Sequence, residues 1–452
     1  MRRSLFLEHA LLPSGWAMDV GLDIEDGAIA AVHPGAAPAG RERIPGIAIP
    51  GLPNLHSHAF QRGMAGLAET RGPSGDSFWT WRQVMYRFLG RLSPEDVQAI
   101  AAFAFMEMLE GGFTALAEFH YLHHDVDGRP YADLAEMSAR IAAAAAETGM
   151  GLTLLPVFYA YGGFGAQPAG EGQRRFLNDP ERFLRLAEGA RKAIAGLPDA
   201  VVGIAPHSLR AVTPGTLTEV LAATPAGPVH IHVAEQVKEV EDCIAWSGRR
   251  PVDWLLGHAA VDGRWCLIHA THMDGAETAA LARSGAVAGL CPITEANLGD
   301  GIFPGADYLA RGGRFGVGSD SNVEITAPGE LRLLEYGQRL SRRARNVMAA
   351  AEGESVGRRL YDAALAGGTA ATARRLGAIA PGSRADLVVL DAGHPDMAAA
   401  GDRWLDAYVF VAGRAAIDRV LVGGRTLVEG GRHLGRAAIA GAYARAMARI
   451  AA

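Results

Sequence analysis

The chain has 452 residues, 49% of them hydrophobic and 20% charged, which is ample material for a large core and excludes long disorder. Its 43 basic and 49 acidic residues give a formal net charge of −6, with no basic footprint for nucleic acid and no polybasic patch for a membrane. The apolar start of MRRSLFLEHALLPSG is broken at Glu8 and His9, and no uncharged run of membrane-spanning length follows. Cys243, Cys266 and Cys291 are too scattered for a disulfide framework or a zinc knuckle, so reduced thiols in a cytoplasmic protein are expected.

Residues 1–48 read as short strands. MDVGLDIEDGAIAAV alternates apolar and polar positions around Asp26-Gly27, a type I′ hairpin signal. From 49 to 375 apolar runs alternate with helical stretches. The runs are IAIPGLPNLH, TALAEFHY, LTLLPVFY, VVGIAPH, PVHIHVAE, WCLIHAT, AVAGLCP and FGVGSD. Among the helices, SPEDVQAIAAFAFMEMLEGG starts with a Ser93 cap, Pro94 at the first position and early acids. This alternation predicts an α/β fold, a parallel (β/α)8 barrel over 49–375. Residues 376–452 return to strands in SRADLVVLD and DRVLVGGRTLVEGGRH, then end in a helix. Both termini are therefore expected to build one small sheet domain. The pairs Gly162-Gly163 and Gly367-Gly368 lack the strand–glycine–helix spacing of a dinucleotide site.

In such a barrel the chemistry lies where strands end, so polar residues closing the apolar runs carry most weight. His56 and His58, two residues apart, project to one side of an extended chain and can reach one ion. His232 ends the fifth run, with Glu235 just beyond it and His230 facing the same way but deeper, as a core residue. His269 ends the sixth run and Asp320 the eighth. A lone buried carboxylate is costly unless it is paired or binds metal. Each residue has a bland explanation singly; four strands ending in histidine or acid at one rim are hard to obtain by packing alone.

The segments PGLPNLHSHAFQ, HVAE and GSDSN, with the lone strand-end His269, together resemble the amidohydrolase superfamily along nearly the whole chain. GSRADLVVLDAG and VLVGGRTLVEGG look like the strands that complete its small β-sandwich. The resemblance implies that His56, His58, His232 and Asp320 hold the metal, that Glu235 moves protons and that His269 assists. Asp320 would also aim the attacking water. Binuclear members bridge two ions with a carboxylated lysine at the end of strand four. Here that strand ends Ile204-Ala205-Pro206-His207, and the lysines are Lys192 and Lys238. One ion is expected, zinc by its ligands, although the same donors accept iron or manganese.

Gln61, Arg82, Tyr121, His207 and Arg210 are the polar residues near the expected rim. Two guanidinium forks at one pocket suit a small-molecule substrate with two carboxylates; surface ion pairs are the alternative. NLHSHAFQRGMAG, FWTWRQVMY, AEFHYLHH and APHSLRAVTP resemble the formimidoylglutamate deiminases, a branch of the superfamily. That resemblance implies hydrolysis of N-formimino-L-glutamate to N-formyl-L-glutamate and ammonia, a step of histidine degradation, in a homodimer. It also implies substrate contacts from Gln61, Arg82, Tyr121, His207 and Arg210. A nucleobase or nucleoside deaminase is the rival, with Trp79, Trp81 and Tyr86 as its flat slot; a non-catalytic barrel scaffold is the other.

Overall fold

The computed structural model describes residues 2–72, 75–398 and 400–451. Strands β1 (Arg2–Leu12) and β2 (Gly15–Glu25) pair antiparallel, β3 (Ala28–His33) follows, and β4 (Glu42–Pro50) lies parallel to β1. Between β2 and β3, Asp26 (φ 48°) and Gly27 (φ 83°) are both left-handed, as a type I′ turn requires.

The run IAIPGLPNLH, expected as a single barrel strand, is two strands in different sheets. β4 ends at Pro50, and β5 (Leu52–Ser57) opens the barrel. Gly51 is the joint, because a Cβ there would lie 2.2 Å from Thr114 Cγ2. Only glycine lets the chain pass this close to the neighbouring strand.

The barrel continues through β6 (Phe113–His120), β7 (Gly151–Phe158) and the broken fourth strand, β8 (Val201–Val202) with β9 (Ala205–Pro206). It is completed by β10 (Val229–Val233), β11 (Trp265–His269), β12 (Val287–Leu290) and β13 (Arg314–Val317). All neighbouring pairs are parallel. Parallel bridges Ser57↔Asp320 and Ile204↔Val229 close the circle. The helix Val356–Thr372 lies against β5, β12 and β13. Its Gly367-Gly368 pair permits that approach, since a Cβ on Gly367 would sit inside the Phe315 carbonyl and one on Gly368 would meet Pro53 Cγ at 2.8 Å. His230 is a core residue, its Nε2–H donating to the Ala371 carbonyl at the end of this helix (2.9 Å).

After the barrel come β14 (Leu387–Leu390), β15 (Ile417–Val422), β16 (Arg425–Glu429) and β17 (Arg432–His433). They join the amino-terminal strands in one sheet ordered β17-β16-β15-β14-β4-β1-β2-β3, where β14 pairs antiparallel with β4. This small domain has its own apolar cluster, including Leu5, Leu7, Val20, Leu22, Ile24, Leu387 and Leu421. Two helices follow β5: α1 (Phe78–Leu89) and α2 (Pro94–Glu110), the latter with the Ser93 capping box and Pro94 in its first turn. The last helix, Arg436–Ala451, docks on α2, with Phe103 and Tyr443 stacked at 4.1 Å. Among the described residues no helix is long and apolar enough to cross a membrane, and the three cysteines are buried and free.

Buried imidazoles near the end of β6 give the fold an acid sensitivity. Burial pushes His120 down to about 3 and His123 well below its ordinary value. Both are thus neutral in the folded protein, whereas in the unfolded chain they protonate near pH 6.5. Their contribution to stability is complete above about pH 6.5 and is lost as pH falls from there toward 3, by about 1.4 kcal/mol per pH unit for each group. Lowering pH from 7 to 5 is expected to lower the thermal midpoint, and His120→Leu to make that drop smaller. Equal pH slopes for the two proteins in a thermal melt would contradict this assignment.

Candidate active site

The first and eighth strands are laced together where they end. His58 N donates to the Asp320 carbonyl and Asp320 N to the His56 carbonyl, both at 3.0 Å. Behind them Asn54 Nδ2 donates to Ser319 Oγ (2.6 Å), Ser319 Oγ to Asn322 Oδ1 (2.6 Å), and Asn322 Nδ2 to Ser57 Oγ (3.1 Å). This buried network joins the two motifs LHSH and GSDSN and sets the register between strands. Ala234, His269, Ala270, Asp320 and Asn322 adopt left-handed φ between 43° and 67° at these strand ends. Such strain in non-glycine residues collects at functional sites, because the chain must turn sharply to present a side chain.

His56, His58, His232 and Asp320 converge. His58 Nδ1–H donates to the Phe119 carbonyl (2.9 Å) and His232 Nδ1–H to the His207 carbonyl (3.0 Å). Both rings are thereby held with bare Nε2 lone pairs turned inward. His232 Nε2 lies 3.1 Å from His56 Nε2. Asp320 Oδ1 is 3.4 Å from Nε2 of both His56 and His58. Burial pushes His56 down to about 3 and His58 and His232 below their ordinary values, so the imidazoles are neutral. Contact with His56, His58 and His269 outweighs burial at Asp320 and holds its carboxyl well below the usual range. Three buried neutral imidazoles gathered about one point, with the ionised Asp320 carboxylate 3.4 Å from two of them, fit a divalent cation of the zinc type. Lys192 lies in the helix Pro180–Ala193 and Lys238 pairs with Asp242 at 2.8 Å, so no lysine stands at the end of strand four.

His58, His232 and Asp320 of the cluster line a cavity of about 560 Å³, part of it open to solvent. Its walls include Gln61, Arg82, Tyr121, His207 and Arg210, together with Glu235 and His269. Arg82, whose segment had no path readable from sequence, reaches the cavity from α1. Gln61 Nε2 donates to the Tyr121 hydroxyl (2.9 Å) and leaves its buried Oε1 without a partner. The Nε atoms of Arg82 and Arg210 are likewise buried and unpartnered. Burial opposes the Arg210 charge, but Glu239 and Glu235 outweigh it and hold its pKa above the ordinary value. Burial and the neighbouring Arg210 keep His207 neutral. His269 Nε2 is 3.7 Å from Glu235 Oε1 and 3.9 Å from Asp320 Oδ2. Burial pushes Glu235 up to about 7, against the pull of His269 and Arg210. Burial opposes the charge on His269, yet Glu235 and Glu295 raise its pKa to about 10.

Two contributors, Glu295 and Glu239, escaped the sequence reading. Glu295, in the helix Pro292–Leu298, places Oε1 3.2 Å from His269 Nδ1 and so turns Nε2 toward the cavity. Glu239 accepts from Glu235 N (3.0 Å) and anchors the turn after β10. Trp79 lies under both arginines, 4.6 Å from the Arg82 guanidinium and 5.6 Å from that of Arg210, so its face is not free to serve as a nucleobase slot. No local pattern marks Glu295 or Glu239, since each acts on a partner distant in the chain, His269 or Arg210.

The chain is similar along its length to known proteins. Residues 47–427 match the family described as amidohydrolase family, and residues 2–45 match the formimidoylglutamate deiminase HutF N-terminal domain. The chain is 55% identical over 450 residues, 99% of each chain, to a formimidoylglutamate deiminase of Pseudomonas aeruginosa. It superposes on an amidohydrolase from Brucella melitensis with a TM-score of 0.96 and 55% identity, covering 100% of both chains. An adenosine deaminase from Xanthomonas campestris with bound zinc shares the fold at a TM-score of 0.81 and 21% identity, over 99% of this chain and 98% of the other. The chain belongs to the amidohydrolase family, in its formimidoylglutamate deiminase branch.

Proposed function

We propose that the protein hydrolyses N-formimino-L-glutamate to N-formyl-L-glutamate and ammonia, a step of histidine degradation, with one zinc ion held by His56, His58, His232 and Asp320. The observation that carries this reading is the pairing of two guanidiniums with buried, unpartnered Nε atoms, Arg82 and Arg210, in the same cavity as Glu235, His58 and His232. A substrate with two carboxylates and an electrophilic C=N carbon meets both demands. The same reading includes a cytoplasmic homodimer.

A bound zinc ion would act as a Lewis acid, lowering the pKa of a water from about 15.7 to about 7. Glu235 takes a proton from the attacking water and delivers it to the leaving nitrogen. Asp320 accepts a hydrogen bond from that water and aims it at the formimino carbon. His269 donates from Nε2 to the substituent on that carbon as charge develops there. Water oxygen bonds to carbon, the carbon–nitrogen bond breaks, and ammonia leaves. Arg82 and Arg210 clamp the two carboxylates, while Gln61, Tyr121 and His207 orient the chain between them.

Ammonia release from formiminoglutamate, measured beside guanine, cytosine and adenosine with metal content read on the same sample, tests the reaction. Faster release from a base would overturn it. Arg210→Met is expected to cost about 2–5 kcal/mol of substrate binding, as loss of one partner of a buried charge pair does. That corresponds to a KM rise of roughly 30-fold or more with folding retained. Unchanged KM in steady-state assays would remove Arg210 from the clamp.

A further inference from the structure

A second set of metal-binding side chains adjoins the first. His269, Cys291 and Asp320 stand at the ends of the neighbouring strands β11, β12 and β13, and each offers a ligand atom within 4.8 Å of the other two. All three are buried. Cys291 packs in the buried cluster with Leu55, Cys266, Ile268 and Val287. Asp320 spans the two sets. Its Oδ1 faces Nε2 of His56 and His58 at 3.4 Å, while Oδ2 lies 3.9 Å from His269 Nε2. Glu235 Oε1 approaches the same nitrogen at 3.7 Å, and Glu295 accepts from the far side of the ring at 3.2 Å. Sulfur, imidazole and carboxylate in one group favour a thiophilic divalent ion over calcium or magnesium.

We propose that His269, Cys291 and Asp320 form a second, inhibitory site for a thiophilic divalent cation such as zinc or cobalt. On binding, the Cys291 S–H and the His269 Nε2–H give their protons to solvent, sulfur–metal and nitrogen–metal bonds form, and no redox change occurs. Occupancy takes up Asp320 Oδ2 and His269 Nε2, the atoms assigned above to the water and to the substrate. Excess metal therefore stops turnover. The inhibitory consequence rests on the proposed reaction; the ligand set does not.

Protein loaded with one equivalent of zinc is titrated with Co2+ and followed by near-ultraviolet absorption and metal analysis. A second equivalent is expected to bind with a thiolate-to-cobalt charge-transfer band. Cys291→Ala should keep the first ion and the basal activity, lose the band, and need at least tenfold more zinc for inhibition. Cys266→Ala and Cys243→Ala should keep the band. A band that persists in Cys291→Ala or disappears with Cys266, or its absence from the wild type at excess cobalt, would overturn the site. Excess zinc that fills the site without slowing ammonia release would overturn its inhibitory role. No release from formiminoglutamate at any zinc level, with the band behaving as expected, would sink the proposed reaction and leave the site standing.

Discussion

Replacing Glu235 by Gln is expected to lower kcat by about 10²–10⁴-fold, the range for loss of a positioned proton carrier, while zinc content stays at the wild-type level. The substitution keeps shape and most hydrogen bonding but cannot take up and return a proton. Glu235 is suited to that exchange because burial brings its carboxyl up to about 7, between the affinities of an ordinary carboxylate and an amine. Its position is defined by the left-handed Ala234 (φ 52°) and by Glu239, which accepts from its backbone N–H at 3.0 Å. His269 Nε2 stands 3.7 Å from Glu235 Oε1. Single-turnover ammonia release with metal analysis on the same protein checks the outcome. A variant with full metal and full turnover would remove Glu235 from the reaction.

Stripping the metal with a chelator should abolish turnover and also lower the thermal midpoint, and added zinc should restore both. The loss of stability has a local cause. His58 and His232 are pinned by the Phe119 and His207 carbonyls with their Nε2 lone pairs facing inward, and His56 Nε2 lies 3.1 Å from His232 Nε2. Without a cation these nitrogens stay desolvated and crowded beside the Asp320 charge. An ion present at about a thousand times its dissociation constant stabilises the folded state by about 4 kcal/mol. His232→Ala should reproduce the loss of activity and bind less zinc. Identical melting curves with and without chelator, together with retained activity, would show that the cluster needs no ion.

What the amino-acid order determined by itself was local. The Asp26-Gly27 turn, the Ser93-Pro94 helix start and the two-residue spacing of His56 and His58 each depend on neighbours in the chain, so residue type and spacing suffice. Strand-end placement of His232, His269 and Asp320 was legible for the same reason, because each closes an apolar run. The resemblance to known families then supplied the chemistry that spacing alone leaves open. Tertiary structure decided the rest. Only barrel closure joins Asn54 to Ser319 and His58 to Asp320 across the seam, and only the path of α1 carries Arg82 beside Arg210 over Trp79. Glu295 and Cys291 lie about His269 because β11 and β12 are adjacent strands, which no periodicity in the sequence states. Gly51 and Gly367 matter through backbone approaches from elsewhere in the chain. Short-range preferences are written in short segments; contacts between distant segments exist only once the whole sheet has closed, and the cavity is made of them.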